Sequence, residues 1–142
     1  MEVTVRESGN GKFTQDIIVG KHVLTADEPV AGGGMDTGLS PYDFLLAALG
    51  SCTSMTLRMY ADLKKIPLKE TIVKLTYEKI HATDCVNCDS NDARVDHIDR
   101  KIELLGEELT QDQRAKLLEI ANKCPVHRTL SSKILITSEL VE

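Results

Sequence analysis

Two thiols stand out by what surrounds them. Cys52 lies inside LLAALGSCTSMTLRMY, Leu45 to Tyr60, an apolar run, and Cys124 lies in NKCPVHRTL, Asn122 to Leu130, directly before a proline. A thiol in such a place is either a small buried hydrophobe or a reagent, because the thiolate is a nucleophile and two thiols can close a disulfide. That closure requires their Cα atoms to approach to roughly 5.5 Å. At Cys124 the local chemistry favours a thiolate: Pro125 opens a new helical turn and exposes backbone N–H groups, and His127 and Arg128 add cationic character within one turn. Around Cys52 only Arg58 is near in sequence, so activation has to come from elsewhere in the fold. On the residues alone both readings stay open, since free cysteine is among the most buried residue types.

A second pair sits in HATDCVNCD, where Cys85 and Cys88 have CxxC spacing with His81 and His97 nearby. Those four carry enough ligand types for a tetrahedral zinc site, or the pair could be a second redox couple, or a polar loop with incidental cysteines. VAGGGMDTGLS, with four glycines, is a flexible loop or a place of close backbone approach. It lacks the Gly-Lys-Ser/Thr ending of a phosphate loop.

At 142 residues the chain fits one domain spanning 1–142. Seventeen basic against 22 acidic residues give a net charge of −5, and there are only three Tyr, two Phe and no Trp. Nucleic acid is thereby disfavoured as a partner, because phosphate binding needs a basic face. No apolar run reaches the roughly 18 residues of a membrane span, and MEVTVRESGNGKF has no core of signal-peptide length. The expected compartment is the cytoplasm, with no membrane partner, where four cysteines read as metal ligands, redox groups or buried hydrophobes rather than a disulfide framework.

The elements that must position these residues can be read from period and caps. EVTVRE, KFTQDIIVG and HVLTADEP read as three strands, the first two joined by a turn containing Gly9-Asn10-Gly11. Ser40-Pro41-Tyr42-Asp43 starts a helix that should stop before Ile66-Pro67, with Leu45, Leu46, Ala48, Leu49, Cys52, Met55, Thr56 and Met59 as its buried face. TIVKLTYEKIHA and HIDRKIELLG alternate as two strands of a hairpin with a long cysteine-bearing tip. Thr110 to Gln113 opens a second helix with Leu117, Leu118, Ile120, Ala121 and Cys124 on its apolar face, which Pro125 must kink or restart. KILITSELVE should be a final strand. The order βββ-α-ββ-α-β predicts an α+β fold with mostly antiparallel sheets.

SPYDFLLAALGSCTSMTLRMYA, followed much later by NKCPVHRTLSSKI, resembles the OsmC/Ohr family of osmotically inducible and organic hydroperoxide resistance proteins. It is most similar to the branch described as YhfA-like predicted redox proteins. The resemblance implies an intertwined homodimer whose two central helices are wrapped by sheets from both chains. It implies a cysteine-based peroxidase acting on organic hydroperoxides, with Cys52 in the peroxidatic and Cys124 in the resolving position. A dithiol or a lipoylated protein would be the reductant, and no cofactor or metal is needed. A sulfenic acid formed on Cys52 would be trapped by Cys124 before overoxidation. Leu45, Leu49 and Met55 would suit a fatty or aromatic substrate. Active relatives carry a Glu directly after the helix-opening Pro, paired with an Arg. Here Tyr42 holds that place and the acid is Asp43, about 100° further round the helix. The first turn offers only Lys12, and residues 27–42 contain no Arg or Lys. Asp43 therefore has a catalytic reading and a plainer one, as an acid in the first turn of a helix. A non-catalytic module of the same fold, binding a small apolar or thiol-reactive ligand, is the alternative that these departures favour.

Overall fold

The computed structural model describes residues 1–81 and 94–141. They form two units, Met1–Ala47 and the remainder from Ala48 on, with the division inside the first long helix.

In the first unit, strands β1 (Thr4–Glu7), β2 (Gln15–Val19) and β3 (His22–Ala26) make an antiparallel sheet in that order. Val5 pairs with Ile17 and Ile18 with Val23, so β-branched residues meet across the ladder. Beyond β3 the glycine-rich segment is gathered around Asp27, which is 2% exposed. Its carboxylate accepts from the N–H groups of Glu28, Met35 and Thr37 at 2.8, 3.3 and 3.3 Å. The hydroxyls of Thr37 and Thr14 donate to it as well, at 2.7 and 3.4 Å. The Thr37 hydroxyl, opposed by burial and helped by those backbone donors, holds the Asp27 carboxyl below its usual 3.8. A Cβ on Gly34 would collide with the Glu28 carbonyl and one on Gly38 with that of Thr25. The glycine run is thus a place of close backbone approach, and a tethered one.

Helix α1 (Pro41–Leu63) begins as its sequence dictates. Asp43 N–H donates to Ser40 Oγ at 3.3 Å and Ser40 N–H to the Asp43 carboxylate at 3.0 Å, a reciprocal cap ahead of Pro41 at the first helical position. It ends where Lys65 turns to a φ of 54° before Ile66-Pro67. Its buried residues are Leu49, Gly50, Thr53, Leu57 and Ala61, which corrects the predicted face. Met55 and Met59, expected inside, are 63% and 66% exposed. Hydrophobicity ranks Met above Thr, Gly and Ala, yet the small residues allow the close approach of β4: a Cβ on Gly50 would sit 2.8 Å from Leu75 Cδ1.

Strands β4 (Glu70–His81) and β5 (Arg94–Leu105) form the predicted hairpin. Val73 pairs with Ile102, Leu75 with Arg100 and Tyr77 with Ile98, all on one face. Its tip, with Cys85 and Cys88, lies outside the described residues, and so therefore does the zinc alternative. Helix α2 (Gln111–Ala121) carries a complete capping box between Thr110 and Gln113. The chain restarts at Pro125 as the short helix α3 (Pro125–Leu130), with Cys124 as its N-cap rather than on the face of α2. Leu57, Ala61, Leu68, Leu109, Leu117 and Ala121 form the core of this unit, against Ile102 and Leu104 of β5. Complete burial of Leu57 and Leu117 contributes about 2 kcal/mol each.

The fold is mixed α+β with antiparallel sheets, the class expected, but its order is βββ-α-ββ-α-α. The predicted last strand is not formed: residues 133–141 pair with no described strand, and Leu135 and Ile136 are 89% and 82% exposed. Alternation specifies a strand only where an edge is there to receive it. No helix among the described residues is long and apolar enough to cross a membrane.

Candidate active site

The second unit brings Cys52 and Cys124 together. Both are free thiols, Cys124 fully buried and Cys52 half-buried on α1, with Cys52 near enough to be among the groups that lower the Cys124 pKa. As N-cap of α3, Cys124 accepts the His127 N–H at 3.3 Å. This is the donor that Pro125 was expected to expose.

The next residue of α1 contributes as much as Cys52 does. Thr53, entirely buried, donates its hydroxyl proton to the Leu49 carbonyl at 2.7 Å, one helical turn back. Its oxygen lies 3.7 Å from Cys124 Sγ and accepts from Arg100 Nη1 at 2.9 Å. A hydroxyl has one proton, so while Cys124 is a thiol its S–H is the donor to Thr53. Arg100 ties three helices to the β5 strand: its Nη2 also donates to Asn122 Oδ1, just past α2, at 3.0 Å, and to His127 Nδ1 at 2.9 Å.

These contacts decide protonation. Arginine only donates, so His127 Nδ1 must accept, which places the ring proton on Nε2 and keeps the imidazole neutral. Burial, and then the Arg100 charge, push the His127 pKa down accordingly. At Cys124 burial acts to raise the thiol pKa but is outweighed. The His127 N–H, Thr53, Cys52 and the Arg100 charge together hold it below its usual 9.0. Activation thus comes first from the His127 backbone N–H, then from Thr53 and Cys52, with the Arg100 charge adding to them and the neutral imidazole of His127 supplying none.

Arg100 and Thr53 were not singled out by sequence. The signal for Arg100 was a cation interrupting the apolar alternation Ile98, Ile102, Leu104, which has no place on a core-facing register without a partner. Arg58, nearest to Cys52 in sequence, donates to the carbonyls of Leu68 and Lys69 at 2.9 and 3.1 Å. Lys12 lies over the Phe13 ring, 5.1 Å from its centre. Asp43 belongs to the other unit, where its carboxylate closes the cap with Ser40. His97 Nδ1 sits 3.4 Å from Glu78 Oε1. No group of three or more metal-ligating side chains occurs among the described residues.

Comparison with known proteins places this geometry in context. The family model for OsmC-like proteins matches residues 33–139. Among solved structures, an OsmC-like protein from Mycoplasma pneumoniae is 18% identical with a TM-score of 0.69, over 91% of this chain and 85% of that one. The organic hydroperoxide resistance protein OsmC of Legionella pneumophila, also described as a predicted redox protein, is 17% identical with a TM-score of 0.64 over 92% and 88%. The organic hydroperoxide resistance protein OhrB of Bacillus subtilis is 17% identical with a TM-score of 0.59 over 92% and 89%. At such identities the likeness to these structures is one of fold. No curated protein matches the sequence. The family match covers most of the chain, two cysteine motifs included: the chain belongs to the OsmC-like protein family.

Proposed function

We propose that this chain is a thiol-dependent peroxidase that reduces organic hydroperoxides. What carries the reading is the meeting of two free thiols from distant parts of the chain, one half-buried and one buried, beside an arginine. The Cys52 thiolate attacks the terminal peroxide oxygen; an S–O bond forms, the O–O bond breaks, and the alcohol leaves with a proton. Cys124 then attacks the sulfur of the Cys52 sulfenic acid, water departs and a disulfide remains. A dithiol, free or on a lipoylated protein, restores both thiols. Met55, three residues after Cys52 on α1 and largely exposed, offers apolar surface to the organic part of the substrate. Two members of the fold are named for organic hydroperoxide resistance, which supports the same reading.

The protein acts in this reading as a homodimer in the cytoplasm, where reducing conditions keep both thiols free. Met55, Met59 and Leu63 form an exposed apolar stripe along α1, and the unpaired tail adds more such surface, both in need of cover.

The test is consumption of cumene hydroperoxide with dithiothreitol or dihydrolipoamide. Wild type is expected to turn over, Cys52→Ser to be inactive, and Cys124→Ser to lose sustained turnover as Cys52 overoxidises. Asp43→Ala separates two roles for that acid: losing a catalytic group lowers turnover, whereas losing half of the reciprocal cap lowers stability by about 1 kcal/mol and leaves turnover intact. Folded, reduced wild type without turnover would overturn the enzyme reading in favour of a ligand-binding module.

A further inference from the structure

The thiol pair is built asymmetrically. Cys124 is fully buried, accepts the His127 N–H, touches Thr53 and has Arg100 one hydroxyl away, whereas Cys52 is half-exposed. The groups facing Cys124 are Cys52 and Thr53 from α1, Arg100 from β5 and His127 from α3, and the neutral His127 leaves Arg100 as the cation among them. In thiol–disulfide exchange the sulfur attacked is the accessible one, and the sulfur that leaves best is the one whose thiolate is best stabilised.

We propose that Arg100, acting through Thr53, gives the Cys52–Cys124 disulfide a direction: the reducing dithiol attacks Cys52, and Cys124 is the sulfur released as thiolate. This rests on the reading that the two cysteines close a disulfide. A thiolate of the reductant forms a bond to Cys52 Sγ while the Cys52–Cys124 bond breaks, and its electron pair goes to Cys124. The Cys124 thiolate is received by the His127 N–H and by the Thr53 hydroxyl, which turns its proton from the Leu49 carbonyl to the sulfur, while Arg100 holds the hydroxyl in place. The second thiolate of the reductant then displaces Cys52 and departs as a cyclic disulfide. The two protons given up by the dithiol end on Cys52 and Cys124. Arg100 is a positioning residue: it touches neither sulfur through a hydrogen bond of its own, and its effect passes through Thr53 and its charge.

The experiment uses the full chain with Cys85→Ser and Cys88→Ser, oxidised by diamide so that the disulfide forms without any hydroperoxide. A brief pulse of 2-mercaptoethanol, quenched with N-ethylmaleimide and mapped by mass spectrometry, should place mercaptoethanol on Cys52 and maleimide on Cys124. Burial alone would give that pattern, so the deciding readout is ionisation. With Cys52→Ser added, the ultraviolet absorbance of the Cys124 thiolate is titrated in Arg100, Arg100→Gln and Arg100→Lys proteins. Arg100→Gln, which keeps donors without the charge, should lower the ionisation constant and slow dithiothreitol reduction of the disulfide several-fold. Arg100→Lys should recover part of both. Mercaptoethanol on Cys124, or an Arg100→Gln protein that titrates and is reduced like wild type, overturns the proposal. Absence of hydroperoxide turnover would sink only the peroxidase reading, whereas failure of diamide to form the disulfide would sink this proposal and the resolving step together.

Discussion

Thr53 shows how much one small side chain can carry. Its oxygen accepts from Arg100 and faces Cys124 while its proton is held by the Leu49 carbonyl, all in a position without solvent. Thr53→Val keeps the shape and removes every one of these contacts, leaving Arg100 Nη1 and the Cys124 thiol without that partner. The expected cost is about 1–3 kcal/mol, read as a lower urea midpoint with an unchanged slope. Thr53→Ser should recover most of it, since the hydroxyl is retained. A Thr53→Val protein as stable as wild type would mean that the network contributes no net stability. At this scale the site was half legible. Cys52, Cys124 and the N–H donated to Cys124 follow from local signals, a thiol in an apolar helix and a proline after a thiol. Arg100 and Thr53 matter through contacts between residues far apart in the chain, 47 positions for their own bond, which spacing does not encode.

Elements read well where their determinants are local and less well where they depend on a partner. The Ser40-Pro41 start, the Thr110–Gln113 box and the restart at Pro125 each need only a few adjacent residues, and each formed as read. Which of the apolar stripes on α1 turns inward depends on what packs there, and the stripe of small residues won. The loop after β3 is the element with the clearest dependence on acid. Asp27 has a lowered pKa, so its stabilising contribution is present above the usual 3.8 and is lost as pH falls through its lower folded value. Protection factors of the Met35 and Thr37 amides should therefore hold steady from about pH 6 down to the ordinary carboxylate range and fall below it. Asp27→Asn should lower them throughout the range in which Asp27 is ionised and remove that acid step. An unchanged loop in the Asn variant would show that the carboxylate is not its anchor.

For the molecule as a whole, the mixed α+β class and the long β4–β5 hairpin were legible because period alone separates strand from helix. The fate of the last segment was not, since an alternating sequence names a strand without naming its neighbour. In the proposed homodimer a strand of the second copy would be the candidate. Sedimentation equilibrium should give twice the 15.7 kDa chain mass, and Met55→Lys with Met59→Lys should shift it to one chain by placing charge on the exposed stripe. A single-chain mass for wild type would remove the dimer from the reading. The tail has a further consequence wherever no partner covers it. Residues 133–141 present alternating apolar side chains on backbone that no described strand pairs, the kind of edge to which other strands adhere. The acidic surplus of −5 makes copies repel one another before such edges can touch. Acid or high salt weakens that repulsion, so colloidal behaviour, rather than unfolding, is where the uncovered end of this chain first makes itself felt.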